Sequence, residues 1–331
     1  MNITILASLE SENADSCDPV VDQVASALRE NGHQVSVLAI FNNVRELVDG
    51  LTAHKPDLVF NLLESFGDDT GGDVAVAGLL SLLGLRFTGG GPGELYLRQD
   101  KALAKKVLAF ENIAFPHFAV FTQDSDLEAF GQLRMPLFVK PLRADASIGI
   151  DGDSLVRDSP SLMRRVLEIH DKVNDSALVE EYIEGREFYV GVLGNREPDA
   201  LPPIEMDFSG LPEGAPHVLG SKAKWSPESV EYKGTKAVLA ELPDELRARL
   251  QKAAVDAAHA LQVRDYGRID LRLADTGDIY VIEVNASCYL EKGSEFATAA
   301  AAHGLEFPAL VERIVELAME RYAANGRPAE S

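Results

Sequence analysis

The stretch YGRIDLRLADTGDIYVIEVNASCYLEKGS, residues 266–294, decides the fold of this chain. Residues 268–273 alternate polar and apolar side chains, which is typical of a half-buried strand. Residues 275–278 have turn composition, and residues 279–284 are rich in β-branched side chains. The stretch therefore predicts a β-hairpin.

Three oxygen-bearing side chains lie on this predicted hairpin. Asp270 is on the first strand, while Glu283 and Asn285, two residues apart, face one side of the second. Carboxylate and amide oxygens suit a hard cation such as Mg²⁺, which keeps water and phosphate oxygens as its other ligands. Arg268 shares the face of Asp270. Polar residues on the wet side of a hairpin are the alternative interpretation.

Composition and charge exclude several kinds of partner. The chain has 331 residues, is 46% hydrophobic and carries a net charge of −22. Its length suits two or three compact domains, and its charge argues against nucleic acid or an anionic membrane as a partner. Two cysteines make no disulfide framework, and no stretch reaches the about 20 apolar residues of a membrane span. With no signal peptide in residues 1–6, a cytoplasmic protein is expected.

The first third of the chain alternates strands and helices. Strands are predicted at 3–9, 34–40, 57–63 and 86–88, and helices at 19–30, 44–51 and 73–83. This order predicts an α/β unit with a parallel sheet, whose ligands lie beyond the carboxyl ends of its strands. Glu10, Glu12 and Glu64 follow two of these ends and are candidate substrate contacts. Solvated loop acids are the alternative.

The remainder mixes strands with helices. Further strands are predicted at 119–122, 137–140, 177–183 and 187–193, and helices follow Asp100, at 162–170 and along the apolar stripes of 246–261 and 311–322. Residues 143–150 form a loop of small residues, which allows backbone N–H groups to approach phosphates closely. Residues 207–236 form a long predicted loop without clear periodicity, a kind that is commonly functional or mobile.

Several stretches of sequence follow one another in an order found in one superfamily. They are VFNLLESFGDDTGG (59–72), GLLSLLGLRFTGGGP (78–92), DKALAKKVL (100–108), FVKPLRADASIGI (138–150), LVEEYIEGREFYVGVL (178–193), KAKW (222–225), and RIDLRL with YVIEVN (268–285). Together they resemble the ATP-grasp superfamily and, within it, its D-alanine–D-alanine ligase-like branch. The resemblance implies an ATP-grasp fold, α/β with α+β parts, behind an N-terminal parallel-sheet domain. The implied units are 1–99 (Rossmann-like, pre-ATP-grasp), 100–184 (central), 185–323 (C-terminal, catalytic) and 324–331 (flexible tail).

The resemblance also implies an activity and its residues. The implied enzyme is an ATP-dependent carboxylate–amine ligase that joins amino-acid-like substrates through an acyl-phosphate and releases ADP and phosphate. Asp270, Glu283 and Asn285 match ligands of two Mg²⁺ ions, for which Mn²⁺ is a substitute. Positions matching ATP contacts are Lys101, Lys140, Ser147, Ile148, Glu180 (adenine), Glu181, Tyr182, Ile183, Glu187 (ribose) and Lys224. Positions matching catalytic groups are Arg268, which would stabilise an oxyanion, Lys224 and Ser147.

The substrate pocket departs from the pattern of D-alanine ligases. Glu64-Ser65 stands where that group has His-Gly, Ala146 where it has serine, and Trp225 where it has tyrosine. Substrate contacts are expected at Glu10, Glu64, Trp225, Tyr289 and Ser294. D-alanine–D-alanine ligase proper and a non-catalytic ATP-binding regulatory protein are the alternative functions. Small carboxylates and amines are the expected partners, with a homodimer as the expected assembly. For Cys288, a buried thiol is favoured over a nucleophile.

Overall fold

The computed structural model describes residues 1–12, 14, 16–69, 71–123, 133–145 and 147–324. The strands are β1 (Asn2–Ser8), β2 (Gln34–Ile40), β3 (Leu58–Leu62), β4 (Phe118–Phe121), β5 (Leu137–Pro141), β6 (Leu155–Val156), β7 (Ala177–Glu181), β8 (Gly185–Leu193), β9 (Asp199–Ala200), β10 (Ile204–Asp207), β11 (Lys236–Leu239), β12 (Tyr266–Ala274) and β13 (Ile279–Ala286). The helices are α1 (Pro19–Glu30), α2 (Val44–His54), α3 (Gly72–Leu82), α4 (Pro92–Gln99), α5 (Lys101–Phe110), α6 (Ser159–Val173), α7 (Ser221–Trp225), α8 (Val230–Gly234), α9 (Asp244–Ala260), α10 (Glu295–Ala302) and α11 (Phe307–Ala324). Of the predicted tail, residues 325–331 lie outside the described residues.

The N-terminal sheet is parallel, as the alternation of strands and helices predicts. Its strand order is β2-β1-β3, so the almost wholly buried β1 is central. Helix α1 begins where the side chain of Asp18 accepts a hydrogen bond from the backbone N–H of Val20. The strand predicted at 86–88 is reduced to a single parallel bridge between Val59 and Phe87. The carboxyl ends of β1 and β3 lie side by side and lead into the loops that carry Glu10 and Glu64.

Two further sheets complete the described fold. The antiparallel sheet β4-β7-β5-β6 packs its apolar face on α6. The larger sheet has the order β11-β10-β8-β12-β13, with β9 added to β8. Along β8, Phe188 and Val190 face the core built with α9, whereas Tyr189 and Leu193 face the core shared with α10 and α11. Because successive side chains of a strand point to opposite faces of the sheet, β8 contributes side chains to both cores.

The region 207–236 is more regular than the sequence analysis expects. It contains the short helices α7 and α8, and it ends at the first residue of β11. Five-residue helices are too short to show a 3.6-residue period, so the pattern of the sequence did not reveal them. The alanine-rich helix α10 was also not predicted. Within the described residues, no helix is both long and apolar enough to cross a membrane.

A buried ion pair fastens helix α11 to the rest of the fold. Arg321 donates to both carboxylate oxygens of Asp265, at 3.0 and 2.8 Å, and to the carbonyl oxygen of Phe87 at 2.8 Å. Asp265 is fully buried and also accepts from the backbone N–H of Gly89 at 2.8 Å. The pair therefore joins α11, the start of β12 and the N-terminal unit.

We expect Arg321→Ala to destabilise the protein strongly. Removing one partner of a buried ion pair leaves an uncompensated charge and costs roughly 3–5 kcal/mol. Arg313→Ala is the matched control, because Arg313 lies on the same helix and pairs with Glu316 and Glu320 at the surface. Its expected cost is about 1 kcal/mol or less. Urea unfolding of the two variants checks the difference, and equal unfolding midpoints would contradict the structural role of the buried pair.

Candidate active site

The antiparallel hairpin β12–β13 forms one wall of the candidate site. Asp270 lies opposite Glu283, and Arg268 lies opposite Asn285. The register shifts between Asp270 and Leu271. Such a bulge twists the strand locally and re-aims its side chains. The hairpin thereby brings the three predicted metal ligands and the predicted oxyanion-stabilising arginine onto neighbouring strands.

Asp270 is held by two neighbours on this wall. Arg268 Nε and Nη2 donate to the two oxygens of Asp270 at 2.7 and 2.9 Å, and Asn285 Nδ2 donates to Oδ2 at 3.2 Å. The guanidinium of Arg268 also lies over the ring of Tyr189, 4.3 Å from its centroid. Burial raises the pKa of Asp270 to about 6, although Arg268 acts in the opposite direction. A further cation beside this carboxylate would therefore stabilise its charged form.

Glu283 has a more cationic environment than Asp270. Its Oε1 lies 3.3 Å from Lys101 Nζ. Burial alone would raise the pKa of Glu283, but Lys101, Lys140 and other nearby cations lower it to about 2. Glu283 is therefore an anion throughout the neutral range.

The donor set on the hairpin fits a divalent ion such as Mg²⁺. Two carboxylates and one amide oxygen lie on adjacent strands, and oxygen donors of this kind are the ligands of hard cations. In the described part of the chain, no group of three or more His, Cys, Asp or Glu side chains could hold a metal ion. An ion at the hairpin would therefore need further ligands besides the two carboxylates: the amide oxygen of Asn285, water and phosphate oxygens. Mg²⁺ commonly keeps water and phosphate oxygens among its ligands.

A buried cluster of two lysines and one glutamate lies behind the hairpin. Glu180 Oε1 lies 2.7 Å from Lys105 Nζ, and Oε2 lies 3.0 Å from Lys140 Nζ. Burial lowers the pKa of Lys105, while the nearby carboxylates of Glu180 and Glu283 outweigh burial and raise the pKa of Lys140. The two lysines outweigh burial in turn and lower the pKa of Glu180. The carboxylate that the sequence analysis assigned to adenine is thus engaged by two lysines.

Most of the residues predicted to contact ATP border one cavity of about 100 Å³, which we call the hairpin cavity. Asp270 and Glu283 line the same cavity. The predicted ATP contacts that line it are Lys140, Ser147, Glu180, Glu181, Tyr182, Ile183, Glu187 and Lys224. Lys101 and Ile148 do not line it: Lys101 contacts the lining residue Glu283, and Ile148, next to Ser147, is half exposed.

The predicted phosphate loop is anchored at Ser147 and at the residues that follow it. The Ser147 hydroxyl donates to the carbonyl oxygen of Leu219 at 3.1 Å. Arg165, from α6, donates to the carbonyl oxygen of Gly149 at 2.7 Å and to Ser154 Oγ at 2.9 Å, and it pairs with Asp151 at 3.1 Å. Arg165 is buried, so it holds the end of this loop from beneath. Ala146, the predicted departure in this loop, lies outside the described residues.

Arg272 is a site residue that the sequence analysis missed. It donates to Glu187 Oε2 at 2.7 Å, to the Tyr182 hydroxyl at 3.0 Å and to the carbonyl oxygens of Ile183 and His217 at 3.1 and 2.7 Å. Its place two residues after Asp270, on an alternating strand, was a usable signal. Lys105 gave no such signal, because its burial depends on Glu180, which is distant in the sequence.

A second cavity, of about 220 Å³, lies at the carboxyl ends of β1 and β3, and we call it the strand-end cavity. Glu10 and Glu64 line it, as does Tyr289, whose hydroxyl donates to Asp18 at 2.9 Å. Cys288 also borders it and is buried, which raises the pKa of its thiol to about 12. A thiol with this pKa is a poor nucleophile at neutral pH. Glu12 lines neither this cavity nor the hairpin cavity.

Two predicted substrate contacts lie away from both cavities. Trp225 is at the end of α7 with 62% of its surface exposed. The Ser294 hydroxyl accepts a hydrogen bond from the backbone N–H of Ala297 and caps α10. In this conformation the structure brings neither residue to the two cavities, and Ser294 has a structural role that its sequence position before Glu295 and an alanine run could have indicated.

Comparisons with known proteins agree with this geometry. The family described as "D-ala D-ala ligase C-terminus" matches residues 105–316. A D-alanine–D-alanine ligase of Pelotomaculum thermopropionicum is 31% identical over 85% of this chain and 86% of its own length. A protein of Sinorhizobium fredii, named only uncharacterized protein y4sG, is 30% identical over 93% of this chain and 89% of its own length.

Solved structures share the fold over nearly the whole chain. The crystal structure of D-alanine–D-alanine ligase from Bacillus anthracis complexed with ATP has a TM-score of 0.77 at 24% identity, covering 98% of this chain and 99% of that one. The D-alanine–D-alanine ligase from Coxiella burnetii has a TM-score of 0.71 at 20% identity, covering 98% and 95%.

Proposed function

Because the chain belongs to the D-alanine–D-alanine ligase family of ATP-grasp enzymes, we propose that it joins the carboxyl group of one small substrate to the amino group of another at the expense of ATP. The observation that carries this proposal is the hairpin cavity. It is lined by Lys140, Lys224, Asp270 and Glu283, which are the charges that a polyphosphate and its cation require. Ser287, two residues after Asn285, lines the strand-end cavity. We propose that this cavity holds the molecules to be joined.

We propose that three lysines and the predicted phosphate loop, residues 143–150, bind the phosphates of ATP. Lys101, Lys140 and Lys224 would neutralise the phosphates, and Ser147 and Ile148 would cover them and exclude water. Asp270, Glu283 and Asn285 would hold two Mg²⁺ ions, or Mn²⁺ in their place, which supply positive charge as the phosphoryl group transfers. The backbone of residues 181–183 would lie along adenine. Glu187, oriented by Arg272, would accept hydrogen bonds from the ribose hydroxyls.

The proposed reaction has two steps. A substrate carboxylate attacks the γ-phosphorus of ATP, an O–P bond forms, and the bond from the γ-phosphorus to ADP breaks. An amine then attacks the acyl carbon, inorganic phosphate leaves, and the nitrogen loses a proton. Arg268 would stabilise the oxyanion of the second step, since it lies beside Asp270 and already carries a positive charge. Burial tends to lower the pKa of Arg268, but Asp270 and Tyr189 raise it further above its usual range.

We propose that the chain is divided into the three units that the family resemblance implies. Residues 1–99 would provide the N-terminal unit, and 100–184 and 185–323 the two halves that enclose ATP. A homodimer is part of the same proposal, on the same family grounds. The enclosing arrangement is supported by the hairpin cavity, which is lined by residues from β5 and β7 on one side and β12 and β13 on the other.

ADP release tests the proposed function. The purified protein is mixed with ATP, Mg²⁺ and pools of amino acids and small carboxylates, and ADP is measured against a reaction without substrate. At least one pool is expected to stimulate ADP release several-fold, with phosphate released in equal amount. If the protein binds ATP in a separate titration but no pool raises ADP release above the reaction without substrate, the proposal is contradicted.

Synthesis of D-alanyl-D-alanine is the second candidate. It is favoured by the name that several relatives carry, including a Syntrophotalea carbinolica protein 33% identical over 88% of this chain and 88% of its own length. Glu64, which lines the strand-end cavity where D-alanine ligases have His-Gly, weighs against it. Turnover with D-alanine as the sole substrate would favour this candidate over the more general one.

The anchor of the predicted phosphate loop gives a kinetic prediction. We expect Arg165→Ala to raise the KM for ATP about tenfold, since it removes hydrogen bonds from a charged donor to Gly149 and Ser154. We expect a smaller effect on kcat, because Arg165 does not line the hairpin cavity. Arg164→Ala is the control, as Arg164 is exposed on the same helix and donates to Ser161. An unchanged KM in Arg165→Ala, in a protein of normal melting temperature, would contradict the anchoring role.

A further inference from the structure

The charges that line the strand-end cavity are mostly negative. Glu10, Asp18, Glu64 and Asp73 contribute four carboxylates, and Arg98 contributes one guanidinium. These side chains come from the loops after β1 and β3 and from helices α3 and α4, except Asp18, which precedes α1. The excess of negative charge favours a positively charged ligand.

Two of the four carboxylates already have partners. Asp18 accepts from the Tyr289 hydroxyl and from the backbone N–H of Val20. Asp73 accepts from Arg98 at 2.8 Å and from Gln99 at 2.7 Å. The guanidinium of Arg98 is therefore engaged, and it also lies 4.0 Å from Asp145. Asp18 and Asp73 therefore already accept hydrogen bonds from the protein without a ligand.

Glu10 and Glu64 differ from that pair. Within the described residues, neither carboxylate has a salt bridge within 4.0 Å or a side-chain hydrogen bond. They follow β1 and β3, which are adjacent parallel strands in the sheet, and adjacent strands lie about 4.8 Å apart. The cavity thus offers two exposed carboxylates at the ends of neighbouring strands, and neither has a hydrogen-bonded or ion-paired partner among the described residues. Removal of water from around Glu64 raises the pKa of its carboxyl group, although the nearby Arg98 lowers it. A ligand cation beside this carboxylate would favour its charged form.

The rest of the lining suits a short carbon chain. Val21, Leu62, Leu95 and Leu290 contribute apolar surface. The volume of about 220 Å³ is below the roughly 300–1,000 Å³ of pockets for drug-sized ligands. One carboxylate is enough for the α-ammonium of an ordinary amino acid. A second carboxylate in so small a space suits a second ammonium a few bonds away.

We propose that the strand-end cavity binds a short diamino acid, with Glu10 and Glu64 each taking one of its two ammonium groups. This inference rests on the proposed ligase function, because it names the substrate class of that same site. The second amine need not react. Glu64 is then a specificity-determining residue that selects the charge of the substrate side chain.

Matched pairs of substrates test this inference. Diaminopropionate, diaminobutyrate and ornithine are compared with aminobutyrate, norvaline and norleucine, in which a methyl group replaces the second ammonium, with both enantiomers of each. ADP release gives kcat/KM for every member. For at least one pair the cationic member is expected to be preferred at least about tenfold. Equal or better turnover of all the neutral members would overturn the inference.

Two variants assign the preference to Glu64. Glu64→Gln keeps the size of the side chain and removes its charge, so the ratio of cationic to neutral kcat/KM is expected to fall about tenfold or more. Glu12→Gln is the control, since Glu12 is an exposed acid in the loop after the adjacent strand β1 and lines neither cavity. Its ratio is expected to match that of the wild type. A preference that persists in Glu64→Gln would overturn the assignment.

A binding measurement separates failure of this inference from failure of the proposed function. If no pair stimulates ADP release, the pools of amino acids and small carboxylates decide whether the ligase proposal holds, since these pairs are only a few of its candidate substrates. Calorimetric titration of the same pairs into the protein with Mg²⁺ and a non-hydrolysable ATP analogue then tests the inference by itself. Tighter binding of a diamino acid than of its neutral partner, lost in Glu64→Gln, supports it. Equal binding of the two members, or no binding of either, contradicts it.

Discussion

Asp270→Asn is expected to lower the rate of ADP release about 10³-fold, equivalent to about 4 kcal/mol of transition-state stabilisation. Asparagine keeps one oxygen and the shape of the side chain, but it removes the negative charge that would hold the divalent ion. It also leaves Arg268 without the carboxylate that it contacts at 2.7 and 2.9 Å. The loss should therefore appear mainly in kcat.

The control for this substitution lies on the same hairpin. Asp278→Asn makes the same chemical change in the exposed turn, where Asp278 accepts from the Thr276 hydroxyl. It is expected to leave the rate within about twofold of the wild type, because exposed positions contribute little. Circular dichroism checks that both variants are folded at the assay temperature. Near-normal turnover in folded Asp270→Asn would show that the phosphoryl-transfer site lies elsewhere.

Lys140→Met is expected to weaken ATP binding about 100-fold, since it removes a buried cation worth about 3 kcal/mol to a phosphate. Lys140 leaves β5 directly at the hairpin cavity and is almost completely buried. Methionine preserves much of the side-chain volume, so the change isolates the charge. Calorimetric titration with Mg²⁺ and a non-hydrolysable ATP analogue measures the effect.

Lys105→Met provides an unusually close comparison. Both lysines pair with Glu180 and both are buried, but Lys105 does not line the hairpin cavity. Each substitution should therefore destabilise the fold, because each leaves Glu180 with a single cation. Only Lys140→Met should also remove most of the ATP affinity, with less than about a tenfold loss in Lys105→Met. Equal losses of affinity would mean that Lys140 acts only by maintaining the buried cluster.

The parts of the fold that the sequence predicted well have strong local signals. Helix α1 has the predicted bounds because Asp18 caps it, Pro19 begins it, and Gly32 follows it with a φ of +84°. Strand β2 and the hairpin β12–β13 follow from alternating and β-branched patterns. In each case the decisive interactions lie within a few residues of one another.

The parts that could not be predicted depend on contacts between distant segments. Nothing in the sequence near Lys105 shows that it is buried, since its partner Glu180 comes from β7. Similarly, Trp225 follows the predicted order of motifs but lies exposed on a helix that tertiary contacts stabilise. The sequence can propose which residues belong to a site, whereas the orientation of each side chain depends on the folded chain.

Anomalous scattering from Mn²⁺, in crystals grown with a non-hydrolysable ATP analogue, tests the central claim most directly. The claim is that the hairpin carries the ions that make the terminal phosphoryl group transferable. Two manganese peaks are predicted, between the analogue's phosphates and the side-chain oxygens of Asp270, Glu283 and Asn285. Nucleotide bound with manganese away from these three side chains, or with no manganese near the phosphates, would contradict it.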